Sequence, residues 1–326
     1  MAPTESEEEH RDRRAGYGLA VLAATCWATG GLAAKWLFTP LTTTTASWPL
    51  PPLGISIDPV MLSASRALLA FGMLLTYLIV ARRDALRVRV RDLPFLTVFG
   101  VAGLALVHFT YFKTISLTNV ATAILLEYLA PVLVLVVSVT LLRDRFTWSL
   151  PASVLLSVSG CALVVGAVGG SGLQVSPTGL MWGLASAVFF AGYTLMGRWA
   201  AQRFSSWTLL TYGLGAATLF WFLVLGGPMR IFATLQDPRT FGAVAFIAFT
   251  STVVPFGAFL KALQSIRATE ASVTATLEPV LAAALAWVLF RESLGVAQMV
   301  GGVLVIAAIV VSQVPSTARL ELPPAV

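Results

Sequence analysis

Ten long apolar segments separated by short polar connections dominate the sequence. A helix that spans a bilayer needs about 20 mostly apolar residues, and runs of this kind recur along the whole chain. They leave the chain 57% hydrophobic and only 11% charged, whereas a soluble globular protein carries about 25% charged residues. We therefore predict an all-α integral membrane protein with ten transmembrane helices, at approximately 17–37, 59–81, 93–113, 119–141, 147–167, 179–199, 205–225, 241–262, 268–290 and 295–313.

Lysine and arginine lie mainly on one side of these predicted helices. With the N-terminus inside, the inner connections and tails hold 15 of the 21 basic residues, the outer connections hold 5, and Arg66 falls within a span. Basic residues are enriched on the cytoplasmic side of membrane proteins. This predicts a multi-pass protein of the cell membrane with both termini in the cytoplasm, residues 1–15 as a disordered tail and residues 314–326 as a second tail. The net charge of +6 is explained by these basic residues on the cytoplasmic side and does not indicate a nucleic-acid partner.

The two halves of the chain resemble each other. A shift of 148 residues places Pro131 on Pro279 and Arg143 on Arg291 without a gap. Because each half has five spans, an odd number, the second half must enter the membrane from the opposite side. The sequence thus predicts two inverted five-helix repeats around a central cavity, a plan found in many secondary transporters. The predicted repeats are 16–167 and 168–313.

The same segments resemble the drug/metabolite transporter superfamily, in particular its EamA-type members. The resemblance lies in the ten spans, in "APVLVLVVSVTLLRDRFT" and "LEPVLAAALAWVLFRESLG", in the arginine of "SASRALLAFGML" and in the glycine-rich "GGVLVIAAIVV". It implies a basket of helices around a cavity, worked by rocking, in which the fifth and tenth spans can contact a second copy. A monomer and a homodimer both remain open.

Charged residues within the spans are the candidate substrate site, because such residues usually face a cavity or a partner. Counting about 1.5 Å per helical residue, Arg66, His108 and Glu127 lie at one level in the outer half. We hypothesise that Arg66 and Glu127 hold the carboxylate and the ammonium group of an amino-acid-like zwitterion. The alternative is a structural ion pair between them, and His108 is equally well explained as an interfacial hydrogen-bonding residue. The candidate aromatic walls are Trp27, Tyr128 and Tyr193.

Glu278 is the candidate for proton coupling. It lies near the predicted midplane, where a carboxyl group is more easily protonated than in water, and the alternative is a protonated side chain bonded to a neighbouring helix. Glu270, at the cytoplasmic mouth, is explained by the dipole of its own helix. Three prolines interrupt helical hydrogen bonding, free backbone carbonyls and mark kinks or hinges: Pro131, Pro255 and Pro279.

These features predict a secondary transporter, an exporter of a small metabolite or amino acid by alternating access. An importer or a multidrug efflux transporter of the same fold is the alternative. A membrane-embedded enzyme is disfavoured because the sequence contains no HExxH, Gly-x-Ser-x-Gly or P-loop motif. Cys26 and Cys161 have no partner at ligand spacing, so we expect neither a cofactor nor a metal. The expected partners are a small-molecule substrate, the lipid bilayer and, as a candidate coupling ion, the proton.

Overall fold

The computed structural model describes residues 5–41, 51–118, 120–144, 146–167, 176–290 and 294–314. Within these ranges all regular secondary structure is helical, as predicted. Arg291, which the repeat aligns with Arg143, lies outside them, as do residues 1–4 and 315–326 of the predicted tails. The helices are α1 Glu5–Phe38, α2 Pro59–Ala81, α3 Leu93–Gly100, α4 Leu106–Leu117, α5 Val120–Glu127, α6 Ala130–Thr140, α7 Ser149–Val164, α8 Pro177–Ala200, α9 Ser206–Val224, α10 Met229–Thr234, α11 Pro238–Ala248, α12 Val254–Ala262, α13 Ala268–Ala275, α14 Leu277–Phe290 and α15 Val296–Ser312.

Eight helical stretches of the described chain are long and apolar enough to cross a membrane. They correspond to eight of the ten predicted spans, and the chain is a multi-pass membrane protein. The other two predicted spans, 147–167 and 295–313, form the apolar helices α7 and α15 of 16 and 17 residues. At about 1.5 Å per residue these two are shorter than, or at the lower limit of, a typical span.

The N-terminal region differs from the sequence prediction. Residues 5–15, predicted as part of a disordered tail, continue α1 as helix. A contact between this N-terminal part of α1 and a buried residue of α13 helps to hold it as a helix. Arg13 Nη2 lies 3.0 Å from Glu270 Oε1 on α13, and Glu270 is only 1% exposed. Glu270 also accepts from the backbone N–H and the guanidinium of Arg267 at 2.8 and 3.1 Å, so the helix dipole alone does not account for it.

Four of the membrane helices are interrupted, and the interruptions repeat. The π-helical turns Val101–Ala105 and Phe249–Val253 lie 148 residues apart, the same shift that aligns the two halves of the sequence. The α5–α6 and α13–α14 breaks obey the same spacing, since α5 ends at Glu127 and α13 at Ala275. Local structure therefore repeats in step with the sequence.

Proline explains where the breaks fall. In an α-helix the carbonyl of residue i bonds the N–H of residue i+4, and proline has no N–H. Pro131 therefore leaves the carbonyl of Glu127 without its helical donor, and Pro279 does the same to Ala275. Each helix ends at the residue whose carbonyl loses its donor, and a new helix begins within three residues.

Three of the membrane helices begin with an N-cap side chain followed at once by proline. The caps are Asp58, Ser176 and Asp237, each of which accepts a hydrogen bond from a backbone N–H in the first turn at 2.9–3.2 Å. Proline suits the next position because its missing N–H would have no partner there. The bonds that Thr240 donates to Asp237 hold the pKa of this carboxyl below its usual value.

Helices α7 and α15 approach each other closely where a glycine of one faces a glycine of the other. A Cβ atom added to Gly160 would lie 2.7 Å from the carbonyl oxygen of Gly301, and one added to Gly301 would lie 2.6 Å from that of Gly160. Small residues let backbones approach closely inside a membrane, where packing rather than the hydrophobic effect drives helix association. This contact holds the two shorter apolar helices, α7 and α15, against each other.

Candidate functional site

A polar cavity of about 100 Å³ lies among α1, α2, α4, α8, the π-helical turn Phe249–Val253 and the two proline breaks. Six of the seven residues that the sequence selects for substrate binding or coupling line it. They come from distant parts of the chain and are Trp27, Arg66, His108, Glu127, Tyr128 and Glu278.

Arg66 is the cation of this cavity and is held by neutral acceptors. Its Nη2 donates to Thr252 Oγ1 at 2.8 Å and to the backbone oxygen of Ser251 at 3.1 Å, and its Nε donates to Thr252 Oγ1 at 3.2 Å. The guanidinium carbon also lies 5.2 Å from the ring centroid of Phe112, at cation–π distance. These contacts fix Arg66 without neutralising its charge.

Pro255 explains why the carbonyl of Ser251 is available to Arg66. In a regular α-helix this carbonyl would accept from the N–H of residue 255, which proline lacks. The chain forms the π-helical turn Phe249–Val253 at this point, and such turns frequently occur at functional sites. Pro255 thus leaves a backbone acceptor for Arg66 in this turn.

Glu127 does not pair with Arg66. None of the ion pairs among the described residues involves Arg66, so the structural ion pair considered above is not formed in this conformation. Glu127 Oε2 instead accepts a short hydrogen bond from the hydroxyl of Ser186 on α8. The cavity therefore presents a guanidinium and a carboxyl group that the protein keeps apart.

Glu278 lies at the α13–α14 break and contacts the α5–α6 break. Its Oε2 accepts a hydrogen bond of 2.6 Å from the hydroxyl of Tyr128. Tyr128 is the first residue after α5, and Glu278 is the second residue of α14. This single bond joins the two proline breaks across the cavity.

His108 lines the cavity and carries a hydrogen-bonding atom that no described residue uses. The residue is only 7% exposed, and its Nε2 has no hydrogen-bond partner among the described residues. Its ring packs edge-on against Phe256 with centroids 4.9 Å apart. A buried nitrogen without a protein partner is costly, so this atom is suited to meet a polar group of a ligand.

Aromatic rings form one wall of the cavity. Trp27 packs edge-on against Phe190 and Phe256, with ring centroids 6.0 and 5.3 Å apart. Tyr193, predicted as part of this wall, does not line the cavity. It is fully buried behind Phe190 and Phe256, and its hydroxyl donates to the backbone oxygen of Phe256 at 3.2 Å.

Sequence reasoning missed several residues of the site. Tyr111 lines the cavity, and its position three residues after His108 puts it on the same helix face. Phe256 lies 148 residues after His108, so the internal repeat points to it. Ser251 precedes Pro255 by four residues, and the proline rule identifies its carbonyl. Nothing in the local sequence marks Ser186 as the partner of Glu127.

The lining of the cavity offers groups for polar recognition. Among the described residues, no group of three or more His, Cys, Asp or Glu side chains is arranged to hold a metal ion. What the cavity does offer is one buried guanidinium, two carboxyl groups, a free imidazole nitrogen and aromatic rings. Such a cavity within a bundle of membrane helices is typical of polytopic transporters of small molecules.

The chain belongs to the EamA-like transporter family, whose model matches residues 14–166 and 177–313. The two matched segments follow the two halves of the internal repeat. The resemblance to EamA-type transporters drawn from the sequence is thus confirmed.

Relatives of the chain are described as transporters, and their sequence identity to it is low. The chain is 26% identical to the uncharacterized inner membrane transporter YicL of Salmonella typhimurium, covering 70% of this chain and 76% of the relative. It is 28% identical to the pseudopaline exporter CntI of Pseudomonas aeruginosa, covering 73% and 81%. A "probable terminal-alkyne amino-acid exporter" of Streptantibioticus cattleyicolor is 25% identical, covering 68% and 74%. A solved crystal structure of a protein with 21% identity superposes with a TM-score of 0.71 over 91% of this chain and 96% of the other, which shows the same fold.

Proposed function

We propose that this transporter exports a small, zwitterionic, amino-acid-like metabolite from the cytoplasm by alternating access. The observation that carries the proposal is the separation of opposite charges in one cavity. Arg66 is bound by neutral acceptors, while Glu127 is bound by Ser186. Buried charges need partners, and a ligand with a carboxylate and an ammonium group supplies both.

The carboxylate end is formed by Arg66 and His108. The hydrogen bonds that Arg66 makes with described residues use Nε and Nη2, and none of them uses Nη1. An arginine with a free edge binds carboxylates strongly because its hydrogen bonds are charge-assisted. The partner-free Nε2 of His108 is the second donor in this proposal.

The ammonium end is formed by the carboxyl group of Glu127, with aromatic support from Tyr128 and Trp27. An ammonium group is attracted both by carboxylates and by the faces of aromatic rings. The remaining apolar side chain of the substrate would lie against Trp27, Phe190 and Phe256, which form the aromatic wall.

The mechanism we propose rests on two inverted repeats of five helices, 16–167 and 168–313. It is supported by the π-helical turns and helix breaks that recur 148 residues apart and by the distribution of basic residues. In this arrangement both termini are cytoplasmic, α7 and α15 serve as the fifth and tenth spans, and Pro131, Pro255 and Pro279 mark the hinges. Fusions of reporter proteins to each terminus test this topology, and termini on opposite sides would exclude it.

Export is the proposed direction because two of the relatives are described as exporters, one of pseudopaline and one of a terminal-alkyne amino acid. Proton coupling is assigned to Glu278, since its bond with Tyr128 links the two breaks that would move. Protonation of this carboxyl group would change the hydrogen bond with Tyr128. It would thereby change the relative stability of the inward-open and outward-open states.

The direct test is transport by purified protein in proteoliposomes. A panel of radiolabelled amino acids and related metabolites is measured with and without a proton gradient, in wild type and in Arg66→Ala, Glu127→Gln and Glu278→Gln. We expect the first two variants to lose substrate exchange and the third to lose only the response to the gradient. The matched controls are Arg89→Ala and Glu8→Gln, which change exposed residues of the same types. Unchanged exchange by Arg66→Ala and Glu127→Gln would exclude the zwitterion site.

A multidrug exporter is the second candidate, and the excess of acidic groups favours it. The cavity holds two carboxyl groups against one guanidinium and is lined by aromatic rings, which suits an amphiphilic organic cation. Ethidium efflux distinguishes the two functions. Efflux that persists in Arg66→Ala and disappears in Glu127→Gln would favour the multidrug function.

A further inference from the structure

A second, larger cavity opens sideways between α1 and α2. This lateral cleft has a volume of about 700 Å³ and is bounded by α1, α2, the start of α9 and the segment from Phe249 to Gln264. Its size falls in the range of pockets that hold ligands, about 300–1,000 Å³. It shares no lining residue with the polar cavity, so it is a separate site. Its apolar part is formed by Leu19, Leu22, Met73, Leu74, Tyr77 and Phe249.

The cleft faces outward from the helical bundle. Leu22 and Phe249 are 45% and 52% exposed, and the rings of Tyr77 and Trp207 pack together with centroids 5.2 Å apart. Tyrosine and tryptophan are enriched where a membrane protein meets lipid headgroups. The cleft is therefore positioned to receive a molecule from the bilayer.

One end of the cleft is polar and positively charged. Lys261 is the charged residue among the described residues that line it, and its Nζ donates to the neutral oxygen of Gln264 at 2.6 Å. The start of α9 lies at the same cleft, with Ser205 as its N-cap. A helix N-terminus presents backbone N–H groups and partial positive charge to an anion.

An unpaired side chain at this end indicates a ligand. Ser206 is only 9% exposed, lines the cleft, and its Oγ has no hydrogen-bond partner among the described residues. The backbone N–H groups of Ser206 and Trp207, in the first helical turn, also lack intrahelical acceptors. A hydroxyl, backbone N–H groups and Lys261 thus supply donors in the lining of a largely apolar cleft.

We propose that an anionic phospholipid binds this cleft, with its phosphate at Ser206 and Lys261 and an acyl chain between α1 and α2. Charge complementarity selects an anionic headgroup, because a lysine and a helix N-terminus both favour negative charge. The apolar length of the cleft and its opening toward lipid select a molecule with an acyl chain. A bound chain wedges between α1 and α2, so the lipid holds these two helices apart.

The test uses brominated lipids, which quench the fluorescence of nearby tryptophan. Purified protein is reconstituted in vesicles that contain brominated phosphatidylglycerol or brominated phosphatidylcholine at equal mole fraction. The signal of Trp207 is obtained by subtracting the spectrum of Trp207→Phe. A lysine near a membrane surface contributes attraction equivalent to about a fivefold preference for anionic lipid, and we expect quenching of Trp207 by phosphatidylglycerol at an apparent affinity about fivefold higher.

Four variants make the test specific. Lys261→Ala and Ser206→Ala should abolish the preference for phosphatidylglycerol, while Arg89→Ala, which changes an exposed basic residue outside the cleft, should keep it. Gly257→Leu should reduce quenching by both lipids, because it fills the apolar part and its Cβ would make only an ordinary contact, 3.6 Å from Leu210. Equal quenching by both lipids in the wild type would overturn the proposal. So would a preference that survives Lys261→Ala and Ser206→Ala, or a quencher that is displaced by the transported substrate instead of by unlabelled phosphatidylglycerol.

Discussion

Replacing Thr252 by valine isolates the contact that positions Arg66. Valine has nearly the shape of threonine but lacks the hydroxyl that accepts from Arg66 Nε at 3.2 Å and Nη2 at 2.8 Å. The backbone oxygen of Ser251, at 3.1 Å from Nη2, remains. The substitution therefore loosens the guanidinium without removing its charge or opening a cavity.

The size of the effect follows from the chemistry of the lost bonds. Hydrogen bonds to charged groups contribute about 1.5–3 kcal/mol, and each 1.4 kcal/mol corresponds to a factor of about ten in affinity. If Arg66 binds the substrate carboxylate only when it is held in place, the half-saturating substrate concentration should rise about 10- to 150-fold. The assay is exchange of radiolabelled substrate across proteoliposomes over a range of substrate concentrations.

Thr250→Val is the matched control. Thr250 belongs to the same π-helical turn and is half-buried, and its hydroxyl donates to the backbone oxygen of Phe246 at 2.8 Å instead of contacting Arg66. This variant should transport as the wild type does. Equal half-saturation in Thr252→Val, Thr250→Val and wild type would refute the assigned role of Arg66.

Three further substitutions test other parts of the account. Tyr128→Phe removes the 2.6 Å bond to Glu278 and should weaken the response of transport to a proton gradient while substrate exchange continues, as measured in the same vesicles. Gly160→Leu should lower the unfolding temperature and the yield of folded protein in detergent, because its Cβ would lie 2.7 Å from the carbonyl oxygen of Gly301; unchanged melting would contradict the close packing of α7 on α15. Glu270→Ala leaves two arginines without their buried partner and should cost about 3 kcal/mol, seen as earlier thermal unfolding than in a variant of an exposed glutamate on α1.

The sequence predicted the framework because membrane helices are marked by composition. Apolar runs of bilayer length located the helices, and α2 has the predicted bounds 59–81. Proline disrupts helices through the donor it lacks, so Pro131 and Pro279 predicted kinks within the spans 119–141 and 268–290, where the structure has the α5–α6 and α13–α14 breaks. The helical start of the chain was missed because the buried partner of Arg13 is Glu270, which is far away in sequence.

Side-chain partners within the site were less predictable for a physical reason. The acceptors of Arg66 lie 185 and 186 residues away, and helical periodicity does not encode contacts between distant helices. The π-helical turn that supplies both of them has no strong compositional signal. Tyr193 was expected in the cavity because aromatic residues often line such sites, but the same property suits it to the packed core, where Phe190 and Phe256 cover it.

The most direct test of the central claim is whether one residue of the cavity can be reached from both sides of the membrane. Ala34 lines the cavity and can be replaced by cysteine in a background where Cys26 and Cys161 are alanine. A membrane-impermeant thiol reagent is added to one side or the other of oriented proteoliposomes. The account predicts labelling from both sides, slowed by substrate in each case. Labelling from one side only, with or without substrate, would contradict alternating access through this cavity.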